Sequence, residues 1–186
     1  AFCGKDVSFG VTGCVTDPQL RVGSNAFGLS LLEHFDGDSA KTVAFIGEDN
    51  DAGRGGLKLL SASVADKGFE VVTADASLPA PPDPLGDPSP FVSKLMTSAS
   101  GGQPDVIYIQ STLNGTRISD ALQSAGFTGM IVSPQYSAIL IGRPGYDGIY
   151  LNTQFSMDPD LDANKHMMES VAKVKPDAKM SLATSA

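Results

Sequence analysis

Apolar residues recur along this chain with two different periods, and the two periods alternate from residue 42 onward. A β-branched and aromatic run at 42–46 predicts a strand. After an acidic turn, Leu57, Leu60 and Val64 recur at the spacing of one helical face. Further strand-like runs lie at 70–74, 105–109, 130–133 and 148–154. Strands that alternate with helices predict the α/β class, a doubly wound parallel sheet with helices on both faces and three αβα layers.

The predicted helices begin and end at residues that commonly occupy those positions. Asn25 is a suitable N-cap for the first helix, and Gly68 is a suitable C-cap for the second. Ser89 is the predicted N-cap of the third helix, with a proline in its first turn. Helices are therefore expected at about 25–34, 52–67, 89–100, 115–125 and 159–175.

Connectivity restricts the order of the strands. Helical crossovers between parallel strands are right-handed, so the four strongest strands are predicted to lie in the order 2-1-3-4, with every pair parallel. The connection at 78–90 holds six of the twelve prolines and is expected to be an extended, exposed loop. Because ligands bind outside the carboxyl ends of the strands in open α/β sheets, the turn after Ile46 and its counterparts are where a site is expected.

Length and charge exclude several classes of protein. With 186 residues the chain can form one domain of usual size with a small appendage. The net charge of −8 argues against a nucleic-acid or anionic-membrane surface, and no apolar run reaches the roughly 18 residues that span a bilayer. The chain opens without Met or a signal peptide, which we interpret as a mature or cut product.

Cys3 and Cys14 are the only two cysteines. Their separation permits a disulfide, which is typical of exported proteins, but two free thiols are an equally good interpretation. The spacing is not that of a zinc or redox motif, so no metal site is predicted.

The acidic turn is unsuited to nucleotides. A dinucleotide site requires the motif G-x-G-x-x-G. If the motif began at Gly53, its third glycine would be residue 58, which is a lysine. Carboxylates in this turn would also repel a phosphate group. A phosphoacceptor domain needs an Asp at the end of strand three, where the chain has Gln110 and Ser111. No cofactor is therefore expected.

A hydrolytic site is also not predicted. His34 and His166 lie on predicted helices away from the strand ends, and no Ser occupies a G-x-S-x-G turn. Glu48 and Asp49 could act as an acid–base pair, but acids beside a helix N-terminus are favourable for structural reasons alone. An α/β enzyme that uses these two acids remains an alternative.

Small polar residues follow three of the predicted strands and form the candidate ligand site. Such groups bind a polar solute by hydrogen bonds without transforming it, although each one alone is also typical of a helix cap or a turn. The set comprises Asn50 and Asp51 after strand one, Gln110, Ser111, Thr112 and Asn114 after strand three, and Gln135 and Tyr136 after strand four.

Several segments resemble the type I solute-binding proteins of ABC transporters, in the branched-chain amino-acid class. The resemblance covers most of the chain from about residue 7 and lies in patterns, without a catalytic signature. The similar segments are 43–53 (VAFIGEDNDAG), 65–69 (ADKGF), 104–108 (PDVIY), 121–126 (ALQSAG), 148–150 (GIY) and 176–178 (PDA).

The resemblance implies a chain of about twice this length, with two lobes joined by three crossings and the solute between the lobes. Residues 1–24 would be the first crossing, 25–135 the second lobe, and 136–186 a return segment of a largely missing first lobe. The protein would be exported, as a bacterial periplasmic or cell-surface lipoprotein, and would deliver a small polar solute to an ABC permease without acting as an enzyme. A ligand-sensing domain of a receptor or regulator with the same fold is the alternative.

Two positions depart from the amino-acid binders of this family. Ala52 replaces a common Tyr, and Asn114 or Gly115 replaces an acidic residue that receives the solute's ammonium group. A standard α-amino-acid site is therefore in doubt. Asp49 or Asp51 would have to take over the ammonium group, or the solute is of another kind.

The segment after Tyr136 carries apolar faces on its predicted strand 148–154 and helix 159–175. An open apolar patch of that size is uncommon on a monomer. Either the strand folds back on its own sheet or it pairs with a second copy of the chain. We expect the second arrangement, a homodimer through residues 136–186.

Overall fold

The computed structural model describes residues 22–111, 114–134, 140–152 and 160–177. Cys3 and Cys14 lie outside these residues. The elements are α1 (Val22–His34), β1 (Thr42–Glu48), α2 (Asp51–Asp66), β2 (Glu70–Leu78), α3 (Ser89–Met96), β3 (Val106–Gln110), α4 (Gly115–Ser124), β4 (Met130–Ser133), β5 (Tyr150–Leu151) and α5 (Asp162–Ala172). The predicted alternation of strands and helices is confirmed.

The five described strands form one sheet in the order β2-β1-β3-β4-β5, and every neighbouring pair is parallel. The predicted order of the first four strands is therefore confirmed. Successive side chains of a strand point to opposite faces. Val43 and Phe45 accordingly pack on the face that α1 and α2 cover, while Ala44 and Ile46 pack on the face that α3 and α4 cover. This is the three-layer αβα arrangement.

The last strand corrects the expected exchange with a second copy. Tyr150 and Leu151 pair with Val132 and Ser133 of the same chain, so the strand folds back on its own sheet. The sheet thus includes a strand from the segment after residue 136. The backbone N–H and C=O groups at this edge of β5 are bonded to β4 of the same chain. A second chain is therefore not needed to satisfy them.

Helix α5 packs only weakly on the rest of the lobe, whereas β5 is part of the sheet. It makes at most marginal contact with the other described elements. Leu161 at its start is 45% exposed and Val174 just after its end is 89% exposed. The apolar side chains predicted in this segment are therefore partly open to solvent. Among the described helices, none is both long and apolar enough to cross a membrane.

The first two strands are longer than their apolar runs. β1 continues through Gly47 to Glu48, which pairs with Leu78, and β2 continues past Ala74. β2 lies at the edge of the sheet, where its polar residues Glu70 and Ser77 are exposed while its backbone still pairs with β1. An apolar pattern cannot predict such an extension.

Two predicted helix caps are corrected. The first helix already begins at Val22, so Asn25 lies inside it and is not its N-cap. Ser89 is the first residue of α3, and Pro88 is its N-cap. Asp87, one residue earlier, accepts hydrogen bonds from the Ser89 N–H at 2.9 Å and hydroxyl at 2.7 Å. The backbone N–H of Ser89, helped by its hydroxyl, lowers the pKa of Asp87. The helix ends at Met96, earlier than predicted.

Candidate functional site

The candidate site lies at the carboxyl edge of the sheet, where the first three strands in the row end side by side. Gly47 pairs with Gln110, and Glu48 pairs with Leu78, so β1 lies between β2 and β3 at this edge. The acidic turn after β1 and the polar segment after β3 are therefore neighbours, although they are far apart in the sequence. This is the location at which open α/β sheets bind ligands.

The carboxylate of Glu48 joins the two segments. Its Oε1 accepts a hydrogen bond from the Ser111 hydroxyl at 2.9 Å, and its Oε2 accepts one from the Asn50 side-chain amide at 3.1 Å. A carboxylate offers about four lone-pair positions, so two further donors can still be accepted. Glu48 is half-buried and held at a fixed position.

The same turn anchors the start of α2. Asn50 is the N-cap, and its Oδ1 accepts a hydrogen bond from the N–H of Gly53 at 2.7 Å. A Cβ atom on Gly53 would overlap the carbonyl oxygen of Glu48, so only glycine lets the helix start this close to the strand. Asn50 therefore positions Glu48 and caps the helix at the same time.

The other acids of the turn face solvent. Arg54 forms ion pairs with Asp49 and with Asp51, the second at 3.0 Å, and all three side chains are more than half exposed. Such exposed pairs contribute little stability. Ala52, in the first turn of α2, is also exposed. With Glu48, this end of β1 carries three carboxylates and one guanidinium group, so its local charge is negative.

Gln110 points from the end of β3 toward α2. A Cβ atom on Gly56 would overlap the side-chain amide of Gln110, which shows how closely the amide packs on the helix. Its Oε1 is buried and accepts no hydrogen bond from the described part of the chain. Gln110 therefore lies next to the candidate site but faces the α2 layer.

Asn114 lies at the start of α4 and is bonded within the lobe. It is 5% exposed, and its amide is bonded to the backbone of the loop between β2 and α3. These described contacts are structural, and its contact with a solute stays a prediction. The predicted site residues Thr112, Gln135 and Tyr136 lie outside the described residues.

The sequence alone missed the part played by Glu48 in this site, which it suggested only as a catalytic acid. Its position as the last residue of β1 was the available signal, since the end of a central strand faces the crevice. Within the described ranges, no group of three or more His, Cys, Asp or Glu residues is placed to hold a metal ion. The edge is suited to accepting hydrogen bonds from a polar molecule.

A parallel αβα lobe with hydrogen-bond acceptors at its carboxyl edge has the architecture of a type I solute-binding lobe. The family profile of periplasmic binding proteins matches residues 12–186. This chain belongs to that family of solute-binding proteins. No curated protein matches its sequence significantly.

Solved structures with a similar fold come from several bacterial transport systems. A leucine-binding protein from Thermotoga maritima is 19% identical with a TM-score of 0.67, and the match covers 89% of this chain and 45% of that one. A fatty acid ABC transporter substrate-binding protein from Thermomonospora curvata is 16% identical, with a TM-score of 0.61 and coverage of 87% and 42%.

A benzoate-bound ABC transporter solute-binding protein from R. palustris is 17% identical, with a TM-score of 0.57 and coverage of 82% and 40%. At these identities the likeness shows a shared fold. The chain spans less than half the length of each of these three structures.

Proposed function

We propose that this chain is one lobe of the solute-binding component of a bacterial ABC importer, and that its carboxyl edge forms half of the solute cleft. Membership of the periplasmic binding protein family supports this function. In the full-length protein, two lobes would close on the solute around a hinge. The partners would be the second lobe and an ABC permease.

The single observation that carries the proposal is the fixed carboxylate of Glu48. Ser111 and Asn50 hold it from two sides at 2.9 and 3.1 Å and leave room for two further donors. Binding sites commonly use a few fixed polar groups to orient a solute. Glu48, oriented in this way, is the group we expect to contact the solute.

The charge at this edge favours one class of solute. Three carboxylates against one guanidinium group attract an ammonium or other hydrogen-bond donor and repel a free carboxylate. We therefore propose an amino acid or related polar compound that presents its donor group to this lobe. Any solute carboxylate would then face the second lobe.

The arrangement favours binding over catalysis. Glu48 is bonded to Ser111 and Asn50, whereas Asp49 is paired with Arg54, so the two acids are held by separate partners. We propose a non-enzymatic protein.

The proposed location is supported by membership of the family. We propose an extracytoplasmic location, in the periplasm or on a lipid anchor at the cell surface. A homodimer through residues 136–186 stays a prediction, and its contact would be made by α5, since β5 is already paired with β4.

The test is an NMR titration of the chain with millimolar leucine, benzoate and a medium-chain fatty acid, using Glu48→Gln and Glu33→Gln variants. We expect leucine to shift the amide signals of Asp49, Asn50 and Ser111, and Glu48→Gln to abolish those shifts. Glu33 is exposed on α1, so Glu33→Gln removes the same charge away from the site and should leave the shifts unchanged. Absence of shifts at this edge with all three compounds would refute the proposal.

A further inference from the structure

The loop between β2 and α3 begins at the candidate site. Residues 79–88, here called the proline loop, follow Leu78 directly. The carbonyl oxygen of Leu78 accepts a hydrogen bond from the N–H of Asp49 at 2.8 Å, so the base of the loop is attached to the acidic turn. The loop then crosses to the start of α4. It therefore borders the carboxyl edge on the side of α3 and α4.

Asn114 fastens this loop through all the polar atoms of its side chain. Its Oδ1 accepts a hydrogen bond from the Leu85 N–H at 3.0 Å. Its Nδ2 donates to the carbonyl oxygens of Pro79 at 3.0 Å and Asp83 at 3.3 Å. One buried side chain thus holds three points of the loop, and only a carboxamide has both the acceptor and the donors for them.

Arg117, one turn further along α4, adds a second attachment. Its guanidinium group donates to the carbonyl oxygen of Leu85 and, at 3.0 Å, to that of Gly86. The Leu85 side chain is buried in the core beneath α3 and α4. Leu85, in the middle of the proline loop, is therefore fixed by its buried side chain, by its N–H and by its carbonyl oxygen.

The attachment continues to the proposed solute-binding group. The N–H of Asn114 donates to the Ser111 hydroxyl oxygen at 3.3 Å, and that hydroxyl donates to Glu48. Ser111 is 4% exposed, so this connection is shielded from water. A series of hydrogen bonds thus runs from Leu85 through Asn114 and Ser111 to Glu48.

We infer that the proline loop is a fixed wall of the solute cleft and that Asn114 is the positioning residue that holds it there. This inference rests on the proposed function. Asn114 takes part in solute selection without touching the solute, because it sets how closely the wall approaches Glu48. An acidic side chain at this position could still accept the Leu85 N–H but would meet two carbonyl oxygens without a donor.

Hydrogen exchange of the Leu85 amide tests the attachment in the full 186-residue chain. Asn114→Ala and Asn114→Asp should both accelerate this exchange by about tenfold or more, because the amide loses its partner or the loop loses its donors. Gln123→Ala is the matched control, since Gln123 lies on the same helix and bonds the Asp147 carbonyl at 2.8 Å, away from the loop. It should leave the Leu85 exchange unchanged.

Arg117→Met keeps the experiment decisive if the Asn114 variants do not fold, which thermal melts would reveal. It removes the bonds to the Leu85 and Gly86 carbonyl oxygens and should accelerate exchange of the Leu85 N–H by loosening the loop around it. Unchanged exchange in the folded variants would overturn the inference.

The selecting role is measured by NMR titration with leucine and isoleucine, which present the same ammonium group and differ in side-chain shape. In Asn114→Ala the ratio of the two dissociation constants should change by about fivefold or more, whereas Gln123→Ala should keep the wild-type ratio. An unchanged ratio in Asn114→Ala would overturn the selecting role. If neither compound binds the wild-type chain, the proposed function and the selecting role both fail, while the exchange data still decide whether Asn114 holds the loop.

Discussion

The Ser111 hydroxyl donates a hydrogen bond to Oε1 of Glu48 at 2.9 Å, joining two residues that are 63 positions apart in the sequence. Glu48 ends β1, and Ser111 follows the last residue of β3. The bond therefore ties the two central strands together at the edge where the solute is proposed to bind. It holds the carboxylate in place.

Replacement of Ser111 tests the contribution of this bond to stability. Ser111→Ala should lower the free energy of unfolding by about 1–3 kcal/mol, because the buried N–H of Asn114 and one oxygen of Glu48 lose their partner. Urea denaturation measures the change. Ser61→Ala removes an exposed hydroxyl on α2 and should change the free energy by no more than about 0.5 kcal/mol. Equal effects of the two variants would contradict the prediction.

Two glycines of α2 provide a comparison of the same substitution in one helix. Gly53→Ala should destabilise the chain by about 1–3 kcal/mol, because the new methyl group overlaps the Glu48 carbonyl oxygen and displaces the helix start. Gly55 has open space around its Cα, and Gly55→Ala should stabilise by about 0.5–1 kcal/mol through helix propensity. Denaturation midpoints of both variants check this, and a Gly53→Ala protein as stable as the wild type would disprove the close contact.

Tyr108 makes stability depend on pH in the alkaline range. Burial raises the pKa of its hydroxyl from 10.0 to about 12, against a smaller lowering by the hydrogen bond with Asn152. Because the folded pKa is above the unfolded one, this contribution is fully present below pH 10 and is lost as the pH rises from 10 to 12. The loss should amount to about 2–3 kcal/mol.

The matched variant is Tyr108→Phe, which cannot ionise. Urea denaturation at pH 9, 10 and 11 should give a smaller decline for the variant than for the wild type. Absorbance at 295 nm should also lose the tyrosine ionisation step at about pH 12. Parallel declines of the two proteins would mean that Tyr108 does not control this dependence.

The isolated chain should not bind branched-chain amino acids tightly. Binding pockets bury about 70–90% of a ligand, and this lobe can supply only one side of the cleft. Ala52 also offers no aromatic ring at the exposed start of α2. Calorimetric titration with leucine, isoleucine and valine should show no affinity below about 1 μM, and a sub-micromolar constant for any of the three would refute the prediction.

The class of fold and the strand order could be predicted from the sequence. The strand at 130–133 has the predicted bounds, and the central strands carry unbroken apolar runs because both of their faces are buried. The handedness of helical crossovers then leaves few possible orders. The acidic turn could likewise be placed at the carboxyl edge, since every strand of a parallel sheet ends on the same side.

The roles of individual site residues could not be predicted in this way, because they depend on which distant segments meet. Asn114 was predicted as a solute ligand from its place after strand three, and only the fold shows that the Leu85 N–H, 29 residues away, bonds its side chain. Glu48 became central because β3 lies directly beside β1 and brings Ser111 to it. Hydrophobic periodicity indicates which face of each helix or strand is buried. It therefore predicted the three layers and the carboxyl edge of the sheet. A polar side chain bonds whatever donor or acceptor the packing places within about 3 Å, and only the tertiary structure decided that.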